Sequence, residues 1–333
     1  MAHRITAALL LLAMSLTSEP VPAQVAEAPA PTILLWPEGA PGSQSRRHEA
    51  EQVENSYISN VHAPSLTVLR ADTSHANGTA MIVVPGGGHR MLVWNNDGLG
   101  PARALNRYGV TSFVLKYRLA RDPGSSYSIE RDAAADLARA VRWVRAHAAE
   151  YGVDPARIGV MGFSAGGELV SLVSDNPLSD RLNPDAVDRV SARPDFQVLI
   201  YPGPLGTPAK APGKAPPAFI AAGTLDECCA PPAMTLYSQL RAAGVSAELH
   251  MFADTGHAFN IAARSERISI LHWPDRLADW LSDGGWFRAH VFGTRPTQTS
   301  ATGNRPATVS TTRDGLTPRI VGRVQRQTSL TRN

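Results

Sequence analysis

Ile158-Gly159-Val160-Met161-Gly162-Phe163-Ser164-Ala165-Gly166-Gly167 sets a short apolar run against a glycine, a serine two residues on, and another glycine two beyond. Glu168-Leu169-Val170-Ser171-Leu172-Val173 follows and can open a helix. This is Gly-x-Ser-x-Gly between a strand-like run and a helix, the setting a nucleophile elbow requires. The serine must sit on a sharp turn so that its hydroxyl projects clear of both elements. Flanking glycines remove the Cβ atoms that would clash there and tolerate the unusual backbone angles. A plain glycine-rich turn would also carry such a motif, so the reading depends on what surrounds it.

Outward from this stretch, apolar runs alternate with helical patterns. Strands are expected at 32–36, 65–70, 80–84, 111–117, 196–201, 219–223 and 247–252. The 80–84 run is continuously apolar and reads as buried on both faces, whereas 65–70 alternates like an outer, half-exposed strand. A helix closes over 105–109, and another runs from about Ser128 to Tyr151, with Leu137, Val141, Val144 and Ala148 forming one apolar stripe. Further helices are expected at 234–243 and 274–281, and a Pro/Gly/Lys loop from Pro202 to Pro217 lies near the mouth of a site. Alternating strands and helices predict one α/β domain over residues 32–290, a mostly parallel sheet with helices on both faces.

Serine is a weak nucleophile and needs a base that is itself oriented by an acid. The chain supplies Ser164, Asp226 and His257 in that order, each just after an expected strand. Ligands gather at the carboxyl ends of parallel strands, so this is where such residues belong. Asp226 could instead cap a helix, and Glu227 beside it offers the same chemistry; Asp226 lies nearer the strand end. Of the other histidines, His89, His250 and His272 lie close to elements that matter, but only His257 occupies a Gly-His-x-Phe turn after the right strand. His250 falls within a strand and reads as structural. Acyl transfer also needs donors aimed at the developing oxyanion. Pro85-Gly86-Gly87-Gly88 follows an inner strand and can bring backbone N–H groups close, with Ala165 adding another. A phosphate cradle is disfavoured there because no Gly-Lys-Ser/Thr follows.

These residues make the sequence similar to the α/β-hydrolase esterases that include exported acetylxylan-esterase-like enzymes and relatives of dienelactone hydrolase and prolyl oligopeptidase. The matching stretches are Leu35–Gly42, Val84–Gly88, Lys116-Tyr117-Arg118-Leu119, Gly162–Gly167 and Gly256-His257-Ala258-Phe259. The resemblance implies the α/β-hydrolase fold and carboxylic-ester hydrolysis through a serine acyl-enzyme, often on acetylated carbohydrate, without cofactor or metal. By position it implies Gly87, Gly88 and Ala165 as oxyanion donors. His89 stands where the family usually has an aromatic residue and Glu168 where it often has histidine. His89 is accordingly expected beside the acyl site, touching substrate.

The ends carry separate signals. His3 and Arg4, the apolar run Ile5–Leu16 and Val21-Pro22-Ala23 read as a signal peptide over residues 1–23, followed by an alanine–proline linker over 24–31. The apolar run is shorter than the ~20 residues a membrane span needs. Secretion or a periplasmic location is the expectation. The whole chain carries +3, but residues from Gly293 on hold seven arginines against one aspartate, which leaves the rest at −3. A nucleic-acid partner is therefore not expected, and the basic stretch 291–333 reads as a disordered tail. The only cysteines, Cys228 and Cys229, are adjacent, closer than the usual disulfide window, and read as two thiols in a loop, with a strained disulfide between them as the alternative. The expected activity is deacylation of short-acyl carbohydrate esters. The alternatives are a peptidase of the prolyl-oligopeptidase type and a non-catalytic module recruiting partners through the arginine-rich tail.

Overall fold

The computed structural model describes residues 30–175, 185–207, 214–261 and 265–287. The expected signal peptide, most of the linker, part of the 202–217 loop and the basic tail lie outside the described residues. Eleven strands are described: β1 Thr32–Leu34, β2 Gln52–Glu54, β3 Tyr57–Ser59, β4 Ser65–Leu69, β5 Ala80–Val84, β6 Leu92–Val93, β7 Thr111–Lys116, β8 Ile158–Phe163, β9 Phe196–Ile200, β10 Ala218–Gly223 and β11 Ala247–Phe252. Eight form one sheet in the order β1-β4-β7-β5-β8-β9-β10-β11. From β7 to β11 every pairing is parallel, and β4 pairs antiparallel with both β1 and β7. β2, β3 and β6 form a small antiparallel sheet.

The helices are α1 Gly100–Asn106, α2 Ala134–Ala146, α3 Ala165–Asp175, α4 Ala230–Ala242, α5 Ile268–Leu271 and α6 Trp273–Asp283. The connection β5–α1–β7 runs one way along the sheet, while β7–α2–β8 and β8–α3–β9 run the other. Right-handed crossovers in opposite directions put their helices on opposite faces. α6 joins α1, where Tyr108 just past α1 donates to Asp275 Oδ1 at 2.5 Å. The reversal falls between β5 and β8, whose ends are level, with Val84 paired to Gly162. A crevice at the carboxyl ends of strands opens at such a switch point.

Three expectations need correction. β4 is no half-exposed edge: Ser65 to Val68 are all buried. β1 takes the edge instead, so β4 is covered along both sides. The helix expected over 128–151 is divided. A widened π-type turn at Ile129–Ala133 leads into α2, and a 3-10 turn at Ala148–Tyr151 ends at Gly152 with φ 64°. The apolar stripe Leu137, Val141, Val144 and Ala148 is buried, yet so are Asp136, Arg139 and Arg142 on the same helix. Arg118 explains the first of these. It is 1% exposed, and its Nη2 lies 2.6 Å from Asp136 Oδ1 while Nη1 donates to Pro41 O at 2.6 Å. A buried charge persists only when paired and hydrogen-bonded, and this one is. Finally, Cys228 and Cys229 are joined as a disulfide between neighbours, not left as two thiols.

Candidate active site

Ser164 has φ +51°, a conformation L residues rarely adopt. The elbow around it is packed backbone against backbone. A Cβ on Gly162 would lie 2.3 Å from Gly166 O, and one on Gly166 would lie 2.1 Å from Val84 O. Both glycines are thus required by close approach between β8, α3 and β5. Ser164 N donates to Ile200 O at 3.0 Å, which fixes the turn to β9.

The carboxyl ends of β8, β10 and β11 bring the three sequence-predicted residues together. His257 Nε2 lies 3.0 Å from Ser164 Oγ, and His257 Nδ1 lies 2.7 Å from Asp226 Oδ2. Asp226 is buried and His257 is partly open to solvent. The other carboxylate oxygen of Asp226 accepts from Cys229 N at 3.1 Å, just ahead of α4. The carboxylate therefore orients the imidazole and sits at a helix N-terminus, where partial positive charge favours an anion. The helix N-cap reading of Asp226 is not met: Cys229 is the N-cap of α4, and Asp226 accepts from its N–H from three residues ahead. Glu227 is exposed, and the carboxylate bonded to His257 is that of Asp226. His250 sits in β11 at 2.6 Å from Glu248, and His272 at 2.8 Å from Asp275, both away from Ser164.

The glycine loop after β5 runs beside the nucleophile: a Cβ on Gly86 would lie 3.2 Å from the Ser164 Cβ. Gly87 has φ +127°, and a Cβ there would lie 2.1 Å from Met91 O, so the loop closes on itself only with glycine. Among the described residues, the N–H groups of Gly87, Gly88 and Ala165 make no hydrogen bond. Unpaired donors around a nucleophile are what a developing oxyanion requires.

His89 is not placed to touch substrate, contrary to the sequence expectation. Its ring is fully buried, with Nε2 at 2.7 Å from Glu168 Oε2. Glu168 Oε1 in turn accepts from Leu205 N at 3.2 Å. The pair anchors the end of the glycine loop to α3 and to the segment after β9. Asp226, Cys229 and His257 also bring potential metal-ligand atoms within 4.8 Å of one another. The Cys229 sulfur is engaged in the disulfide and both Asp226 oxygens are engaged by hydrogen bonds, so this group fits an orienting role better than a metal site.

Sequence reading missed Asp97, which lies in a π-type turn, Trp94–Leu99. Its buried carboxylate accepts from Gly86 N at 3.3 Å, from the Tyr201 hydroxyl at 3.5 Å, and from Asn260 Nδ2. The Tyr201 ring stands edge-on to the His257 ring at 4.7 Å. Asp97 thus links the glycine loop to the loop carrying His257. Only the side-chain type hinted at this, since Asn-Asn-Asp-Gly reads as an ordinary turn.

Burial raises the Asp97 pKa from 3.8 to about 6, against the opposing pull of its donors. The folded state therefore holds this proton more tightly than the unfolded chain. The stabilisation is full below about pH 4 and is lost as pH rises through 6. A shift of this size amounts to about 3 kcal/mol at neutral pH. Asp97→Asn removes the titration. Urea unfolding at pH 4 and pH 7.5 should show wild type gaining about 2–3 kcal/mol on the variant at the lower pH. A difference that stays constant with pH would refute a raised Asp97.

Comparison with known proteins agrees with this architecture. Residues 67–198 match the BD-FAE family. An acetylxylan esterase from Xylanibacter ruminicola is 36% identical over 126 residues, covering 38% of this chain and 23% of that protein. The chain thus spans under a quarter of that relative's length. A crystal structure of an acetyl ester-xyloside bifunctional hydrolase from Caldicellulosiruptor lactoaceticus superposes with TM-score 0.64 at 27% identity, covering 78% of this chain and 98% of that one. A propionate-bound esterase from Thermogutta terrifontis superposes with TM-score 0.59 at 23% identity, covering 72% and 96%. The fold is that of the α/β-hydrolases. Among the described residues no helix is long and apolar enough to cross a membrane.

Proposed function

We propose that this chain is an exported serine carboxylic-ester hydrolase that removes short acyl groups, acetyl foremost, from carbohydrate. The observation that carries this reading is the relay Ser164 Oγ–His257 Nε2, His257 Nδ1–Asp226, beside three unpaired backbone N–H groups. In the first step Ser164 Oγ bonds to the ester carbonyl carbon while His257 Nε2 takes the hydroxyl proton. The carbonyl oxygen gains negative charge and is held by Gly87, Gly88 and Ala165. Collapse breaks the carbon–alkoxy bond, and Nε2 hands the proton to the departing alcohol oxygen. Water then repeats the sequence on the acyl-enzyme and releases the carboxylic acid.

The names of the relatives support an ester substrate: one is an acetylxylan esterase, and another is a hydrolase named for both acetyl esters and xylosides. Export rests on the composition of residues 1–23. The test is hydrolysis of p-nitrophenyl acetate, butyrate and octanoate, followed by acetate release from acetylated xylan. A steep preference for acetate with release from the polymer is the expected result. No turnover of any ester would refute the reading.

A further inference from the structure

A groove of about 670 Å³ opens beside His257, within the roughly 300–1,000 Å³ typical of ligand sites. One wall is the Trp94–Leu99 turn, which presents Asn95 and Asn96. The other is the loop from Asp254 to Ile261, and Arg267 lies farther along. The oxyanion donors Gly87, Gly88 and Ala165 are not among its lining, and neither is Met91.

The chemistry assigns a direction to this groove. His257 Nε2 must reach the alkoxy oxygen to protonate it as it leaves. The carbonyl oxygen goes to the glycine loop and the elbow. Whatever is attached to the alkoxy oxygen therefore extends along the His257 wall, which is the wall of the groove. The lining also assigns a class of alcohol. Asn95 and Asn96 are exposed, and Asp254 and Arg267 form a loose pair at 3.5 Å with both side chains at least half exposed. Among the described residues the Asn96 side chain makes no hydrogen bond, so its amide offers its two N–H donors and its carbonyl acceptor. Amides, a carboxylate and a guanidinium facing Phe259 and Ile261 suit a ring with hydroxyls on its rim and carbon–hydrogen faces. A fatty alcohol would find too many polar groups there to desolvate.

We propose that this groove is the subsite for the alcohol half of the substrate, and that it holds a sugar through Asn96 and Arg267. The assignment of direction rests on the serine-hydrolase reading above. The groove's taste for sugar is tested separately, because the released alcohol is inert and its binding needs no catalysis.

Xylotriose is titrated into wild type, into Asn96→Ala/Arg267→Ala, and into Asn96→Trp, whose indole would plug the groove. In parallel, kcat/KM is measured on acetylated xylotriose and on p-nitrophenyl acetate, which share an acyl group and differ in the alcohol. Saturable binding by wild type is expected, weakened at least tenfold in both variants. In Asn96→Ala/Arg267→Ala the sugar ester should lose about tenfold or more in kcat/KM, while the aryl ester, whose ring offers those side chains no hydroxyls, should lose far less. No saturable binding, or equal binding by wild type and the plugged variant, overturns the proposal. So does an equal loss on both esters in the double alanine variant. If wild type hydrolyses neither ester, the hydrolase reading fails on its own, and the titration still decides whether the groove takes sugar.

Discussion

Ser164→Ala is expected to lower kcat/KM for p-nitrophenyl acetate by about 10⁴–10⁶-fold while leaving the thermal midpoint within a few degrees of wild type. The size follows from losing a nucleophile that acts as a unit with its base: removing one member costs nearly as much as removing all, and the residue comes from the oxyanion donors and binding. Folding is spared because, among the described residues, the Ser164 hydroxyl hydrogen-bonds only to His257. The strained backbone at φ +51° is present in both proteins, and alanine tolerates it no worse than serine does. Two readouts separate loss of the nucleophile from loss of the fold. The variant should show no burst of p-nitrophenolate, and it should resist diethyl p-nitrophenyl phosphate. In wild type that reagent is expected to form an Oγ–phosphorus bond at Ser164 and expel p-nitrophenolate. A variant keeping a tenth of the activity, or taking up the phosphoryl group at another residue, would remove Ser164 from the chemistry.

How much of this site could be read from the sequence depends on the physical distance over which each interaction acts. Ser164, Asp226 and His257 are legible because each stands directly after a strand of the parallel sheet, where strand period and chain order suffice to place it. Gly87 is legible for a similar reason, since a run of glycines signals backbone that must turn tightly. Asp97 is not legible, because its partners Gly86, Tyr201 and Asn260 come from three separate segments. His89 and Glu168 each depart from the related esterases, and the sequence presents these as two unrelated changes. In the fold they touch, so the two positions form one buried pair. Tyr117-Arg118 carries part of the resemblance, and its two residues reach different places: the Tyr117 hydroxyl donates to Pro85 O at the start of the glycine loop. Arg118 binds Pro41 O and Asp136, so in the fold it ties the Leu35–Gly42 stretch to α2. The small β2–β3–β6 sheet escaped notice because strands of two or three residues carry no readable period.

Asp226→Asn should lower kcat by about 10⁴-fold with KM little changed, although the substitution preserves shape. The reason lies in which donor faces each oxygen. Cys229 N–H donates to Oδ1, so an asparagine here keeps its carbonyl oxygen toward Cys229 and turns its NH₂ toward His257 Nδ1. Nδ1 must then accept a hydrogen bond where it previously donated one. The neutral imidazole is held with its proton on Nε2, facing Ser164 Oγ, and it has no lone pair left there to take the serine proton. The imidazolium formed in the transition state also loses its buried counter-charge. Neither effect touches ground-state binding, so the loss belongs in kcat. Glu227→Gln is the matched control. Its side chain is exposed on the neighbouring residue and should change kcat less than twofold. Steady-state kinetics on p-nitrophenyl acetate read both variants. Should Glu227→Gln carry the large loss and Asp226→Asn remain active, the orienting acid would be the neighbour, and the geometry of His257 Nδ1 would have to change to reach it.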